Sequence, residues 1–119
     1  MSDYQMGPIE SRFADLIWQN EPISSAELAR RSEEMFKWKK STTYTMLKRL
    51  CQRGLFANDG GTVTALISKE EFAARQSEEF VEEAFHGSLP QFLAAFSSRK
   101  PLSEQEIAAL QQLIDQHRR

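Results

Sequence analysis

The stretch Asn58-Asp59-Gly60-Gly61 constrains this chain more than any other. Asn, Asp and Gly tolerate the positive φ angles of a tight hairpin turn. The flanking segments, Leu55–Ala57 and Thr62–Ile67, are short, and the second is rich in the Thr and Val that strands favour. Elsewhere the apolar residues recur at helical spacing. A chain of 119 residues with one hairpin among helices is predicted to be mainly α with a small β-hairpin.

Three helices are predicted before the hairpin. Gly7-Pro8 opens the first, since Pro suits the first helical position. Ile9, Phe13, Leu16 and Ile17 form its apolar face, and Asn20-Glu21-Pro22 stops it. Ser24 and Glu27 have capping-box spacing at the start of the second, whose stripe is Leu28, Ala29 and Met35. Residues 36–40, FKWKK, read as a turn. The third helix runs over about 41–53 with Gly54 as its C-terminal cap. After the hairpin, Ser68 with Glu71 opens a helix to about Phe85, residues 88–98 form a short apolar helix, and Ser103 with Glu106 opens the last. Helix, helix, helix, hairpin is the order of a winged helix-turn-helix. The boundaries predicted are a DNA-binding domain at 1–67 and a helical dimerisation domain at 68–119.

Charge is segregated along this order. The chain carries a formal net charge of −2. Yet residues 30–53 hold eight Lys or Arg against two Glu, whereas residues 69–83 hold six Glu against Lys69 and Arg75. The third helix lies in the basic stretch and is two-faced. Tyr44, Cys51, Leu47, Thr43, Leu50 and Met46 share one side; Ser41, Thr42, Thr45, Lys48, Arg49, Gln52 and Arg53 share the other. Short hydroxyl side chains let a helix approach base edges closely, and Thr methyl can touch a thymine methyl. Lys48, Arg49 and Arg53, with Lys39 and Lys40 of the preceding turn, can reach bases or phosphates. A DNA-binding surface is therefore expected. A second reading is a winged helix that binds an acidic protein partner through the same basic face; salt-dependent, sequence-selective duplex binding separates the two.

The C-terminal helices carry Phe80, Phe85, Leu89, Phe92, Leu93, Phe96, Leu110, Leu113 and Ile114, many apolar side chains for about fifty residues. A second copy presenting the same surface would cover them, and a two-fold dimer suits an inverted-repeat DNA site.

Other function classes find little footing. The longest apolar runs, such as FLAAF at 92–96, are too short to span a membrane. No secretion signal is evident, and the single Cys51 precludes an internal disulfide, so a cytoplasmic protein is expected. One Cys with His86 and His117 makes a poor zinc set. No triad-like grouping and no Gly-rich phosphate loop appears, so neither an enzyme nor a cofactor is expected. Cys51 reads as a small core residue, and Trp18 and Trp38 as packing between helices.

Several segments carry a resemblance. Trp38 followed by STTYTMLKRLCQRGL at 41–55, FADLIW at 13–18, FHGSLPQFLAAF at 85–96 and LSEQEIAALQQLID at 102–115 resemble the penicillinase repressor family over about residues 9–115. The resemblance implies a homodimeric repressor whose winged helix binds an inverted-repeat operator and whose C-terminal helices form the dimer. It implies Thr42, Thr43, Thr45, Lys48 and Arg49 as DNA contacts, although helical geometry turns Thr43 inward. It also brings a membrane-bound sensor protease as a candidate partner. Three features depart from the family. β-Lactam-responsive members are cleaved at an Asn-Phe bond, and here Ala95 precedes Phe96. Copper-responsive members carry Cys-x-Cys pairs, and this chain has none. The NDGGTVTAL wing has no basic or aromatic residue, so it is expected to add little to phosphate binding.

Overall fold

The computed structural model describes residues 4–118. The described elements are α1 (Pro8–Asn20), β1 (Ile23–Ser24), α2 (Ser25–Phe36), α3 (Lys40–Gln52), β2 (Phe56–Asp59), β3 (Thr62–Ala65), α4 (Lys69–Phe85), α5 (Leu89–Arg99) and α6 (Glu104–His117). This is a winged helix followed by a helical segment. The chain divides into two compact units, one through Ser77 and one from Glu78 onward, so the division falls inside α4.

The first unit owes its core to three helical stripes and the hairpin. Phe13, Ala14, Leu16 and Ile17 of α1, Leu28 of α2, Leu47 and Leu50 of α3, and Leu55, Phe56 and Val63 of the hairpin region pack into one buried cluster. Two expected stripe residues stay outside it. Ile9 has the right angle but sits in the first turn of α1, one turn short of Phe13, at the rim of the core. Met35 is exposed because the buried arc of α2, Leu28, Ala29 and Ser32, centres roughly 70° away from it.

The caps follow the sequence in part. Ser24 Oγ accepts from Glu27 N at 3.0 Å. The reciprocal half of that box is replaced: the Glu27 carboxylate instead accepts from Arg30 and Arg31. At α6 both halves form, with Ser103 Oγ accepting from Glu106 N at 3.1 Å and Glu106 Oε1 accepting from Ser103 N at 2.9 Å. The Ser103 amide, then its hydroxyl, holds the Glu106 carboxyl below the usual carboxylate range.

The hairpin turn is shorter than the NDGG stretch. Asn58 and Asp59 belong to β2, and only Gly60 and Gly61 turn, with φ of 60° and 91°. Two successive positive φ values fit the two-residue hairpin loop and need glycine. The register pairs Phe56 with Ala65 and Asp59 with Thr62. A third strand joins the expected hairpin. β1 pairs with β3, Ile23 opposite Val63, giving the antiparallel order β1-β3-β2. Two residues are too few to show an alternation of period two, so the sequence merges them with the start of α2.

In the second unit, α5 and α6 and the end of α4 contain no buried residue among those described. Their aromatic side chains still gather. Phe80, Phe85 and Phe92 meet edge to face with centroids 5.6–6.1 Å apart, and Phe96 lies 6.2 Å from Phe92.

Candidate nucleic-acid interface and apolar face

The turn before α3 is built by aromatic packing. Lys37 ends α2 with φ 60°, a left-handed conformation that costs a non-glycine residue about 1 kcal/mol or more. Its neighbours hold it there. The Trp38 ring lies 4.8 Å from Phe36 and 5.2 Å from the fully buried Phe13, and the Arg12 guanidinium caps Phe36 at 5.2 Å. The backbone thus turns sharply from α2 into α3, and Lys37, Lys39 and Lys40 are left exposed.

Helix α3 presents two distinct sides. Thr43, Leu47 and Leu50 are buried. Ser41, Thr42, Thr45, Lys48 and Arg49 are exposed, within an arc of roughly 120° at 100° per residue. Lys39, the N-cap, contributes no side-chain cap, and the first turn holds no acidic residue. The amides that begin a helix have no intrahelical partner, so this start offers free N–H groups beside Lys39 and Lys40. Thr45 Oγ1 donates to Ser41 O at 2.9 Å. Its proton is thereby committed, and what it offers outward is lone pairs and a methyl group.

Two of the predicted contacts are placed elsewhere. Thr43 is 0% exposed and faces the core, roughly 160° around the helix from Thr45, so its side chain cannot touch a ligand on the outer face. Its Oγ1, like Oγ of the buried Ser32, has no hydrogen-bond partner among the described residues. Arg53 lies just past α3 with its side chain 17% exposed; it pairs with Glu10 Oε2 at 3.2 Å and donates to the Gln5 carbonyl. A guanidinium engaged in this way ties the chain together rather than standing free for phosphate.

Ion pairing thins the basic cluster further. Arg30 pairs with Glu27 and Glu34, and Arg31 with Glu27. Hydrogen bonds from Arg30, then Arg31, hold the Glu27 carboxyl at about 2. Lys37, Lys39, Lys40, Lys48 and Arg49 make no ion pair among the described residues. Five unneutralised cations therefore frame the start and outer face of α3. Lys37 belongs to the basic stretch 30–53 but not to the expected contacts; its φ, which sequence pattern does not reveal, sets where it projects.

The remaining singled-out residues have structural places. Burial pushes the Cys51 thiol pKa up, as suits a small residue packed against the core and not a reactive thiolate. The Trp18 ring packs on Phe56 and Phe72, and its Nε1 donates to Ile67 O at 3.0 Å. Among the described residues no group of His, Cys, Asp and Glu could hold a metal ion, and no helix is long and apolar enough to cross a membrane.

The second unit carries an apolar face. Leu89 is 62% exposed, Phe80 53% and Leu113 51%; Phe96 and Ile114 are also exposed, and Phe85, Phe92, Leu93 and Leu110 are half-buried. Between α5 and α6 an open groove of about 390 Å³ is lined by Phe92, Leu93, Phe96, Leu102, Leu110 and Leu113, together with Glu106 and Ala109.

Comparison with known proteins agrees with this architecture. The family model described as Penicillinase repressor matches residues 6–116. The protein named Penicillinase repressor from Bacillus licheniformis is 26% identical over 118 residues, covering 96% of this chain and 92% of that protein. With nearly the whole chain matched, winged helix and C-terminal helices alike, the chain belongs to the penicillinase repressor family, which comprises DNA-binding transcriptional repressors and not enzymes.

Proposed function

We propose that the chain represses transcription as a homodimer, laying α3 of each protomer in the major groove of an inverted-repeat operator. One observation carries the reading: five cations without acidic partners surround a short-side-chain helix face that lies opposite the core. Lys37, Lys39 and Lys40 suit phosphates beside the helix start. Ser41, Thr42 and Thr45 suit base edges. Lys48 and Arg49 reach bases or phosphates further along the groove. The wing, without a cation, adds little. Such a protein works in the cytoplasm, where the duplex is.

The test is salt-dependent binding to duplex DNA. Lys48→Ala is expected to weaken binding across all sequences and to flatten the plot of log affinity against log salt by about one unit of slope. Affinity indifferent to salt in the wild type would favour an acidic-protein partner or none. Thr45→Val is expected to change base preference at one operator position, costing about 1–3 kcal/mol at the preferred base. Because its hydroxyl proton is bonded within the helix, the lost function is that of an acceptor. A selection from random duplexes that returned the same site for both proteins would make Thr45 a positioning contact instead.

The dimer rests on the second unit, where exposed and half-buried Phe and Leu find no interior to fill. A sensor protease as partner rests on the family alone. The Ala95–Phe96 bond lies inside α5, so relief by cutting there would require that helix to open first.

A further inference from the structure

Residues 4–6 belong to no helix or strand, yet they are gripped from two sides at Tyr4 and Gln5. On one side Arg53, just past α3, donates to the Gln5 carbonyl and pairs with Glu10. On the other, two side chains of α4 hold Tyr4. Arg75 Nη1 donates to its hydroxyl at 2.8 Å, and Gln76 Nε2 donates to its carbonyl at 3.0 Å. The Tyr4 ring packs 5.8 Å from Phe72. All these residues lie in the unit that ends at Ser77. The segment is a strap running from the end of α3 to the second turn of α4.

We propose that Tyr4, Arg75 and Gln76 are positioning residues for operator spacing, fixing the direction in which α4 leaves the winged helix relative to α3. This rests on the dimeric DNA-binding reading above. Without the strap, the base of α4 is anchored by Phe72 against Trp18, whose rings lie 5.5 Å apart, and by the exposed Lys69–Asp15 pair. An exposed pair of that kind holds weakly. One apolar anchor is a pivot; Arg75 and Gln76, one turn further along, supply the second point that stops the helix from tilting. The lever is long. α4 has 17 residues, so it extends about 25 Å. A tilt of about 10° at its base moves its far end by about 4 Å, more than the ~3.4 Å between adjacent base pairs. Stiffness at this joint therefore decides whether a dimer distinguishes operators that differ by one base pair in half-site separation.

The experiment compares wild type, Tyr4→Ala, Tyr4→Phe and Gln76→Ala on duplexes that the wild type selects from a random library. Each protein is titrated against a single half-site and against inverted repeats with spacers altered by one or two base pairs. Tyr4→Ala should bind the half-site within about twofold of wild type, while its penalty for one added base pair shrinks by roughly fivefold. Tyr4→Phe keeps the ring contact with Phe72 and loses only the hydroxyl, so its profile should fall between the two. Gln76→Ala removes one exposed side chain and leaves the core intact; it should relax the spacing profile in the same direction, which guards against a misfolded Tyr4→Ala. Unchanged spacing profiles in Tyr4→Ala and Gln76→Ala overturn the proposal. So does a loss of half-site affinity as large as the loss on the full operator, which is the mark of a merely structural role. A wild type that binds half-sites but ignores spacing overturns the strap and leaves the DNA reading standing. A wild type that binds no half-site overturns both.

Discussion

Leu113→Asp is expected to sediment as a monomer at micromolar concentration and to lose about 100-fold or more in affinity for the full operator. Leu113 is half-exposed on α6 and lines the groove that also contains Phe92, Phe96 and Leu110. Exposed in a monomer, an Asp at this position is hydrated and harmless. Enclosed against a second copy, its carboxylate would be stripped of water without a partner, a penalty of several kcal/mol at each of two symmetric sites. The winged helix should be untouched, because its buried cluster lies wholly before Ser77. The variant should therefore keep the wild-type base preference on a half-site while losing the second contact that a tether supplies at high effective concentration. A variant that sediments as a monomer and still binds the full operator as tightly as wild type would refute the dimer argument. A wild type that is itself monomeric at that concentration would do so sooner.

Phe13→Ala should destabilise the winged helix by about 3–5 kcal/mol, a large share of the ~5–15 kcal/mol that holds a typical domain folded. Phe13 is fully buried and touches both Phe36 and Trp38. Its loss leaves a cavity in the core and also removes the support under the Lys37–Lys39 turn, where a left-handed Lys37 is held by the aromatic stack. Both tryptophans, Trp18 and Trp38, lie in this unit, so urea denaturation followed by tryptophan fluorescence reports on it directly. A midpoint shift worth less than about 1 kcal/mol would mean that the site collapses around the deletion, and that Phe13 is not the keystone its burial suggests. Partial unfolding by this route would weaken DNA binding without any change to a DNA-facing side chain.

The sequence by itself determined the helices, their order, the hairpin and the two faces of α3, except at Tyr44, which lies at the edge of the inner arc and is exposed. These are local properties. A period of 3.6 residues, a capping pair three apart or a Gly-Gly turn is written within a dozen residues and needs no partner to be read. Ser41, Thr42, Thr45, Lys48 and Arg49 could therefore be named in advance as an outward face, and Thr43 as turned inward by its angle. Tertiary structure decided what depends on residues distant in the chain. By pattern Arg53 is as available as Arg49, but the fold sets Glu10, 43 positions earlier, beside it. β1 exists only because β3 offers Ile23 and Ser24 an edge to pair with. Tyr4 is tied to residues 71 and 72 positions away, and no periodicity could announce that strap. The reason is common to all three. Periodicity encodes which side of an element is apolar, whereas the partner of a charge or a strand edge is set by the three-dimensional path that brings two remote segments within 3 Å or so of each other.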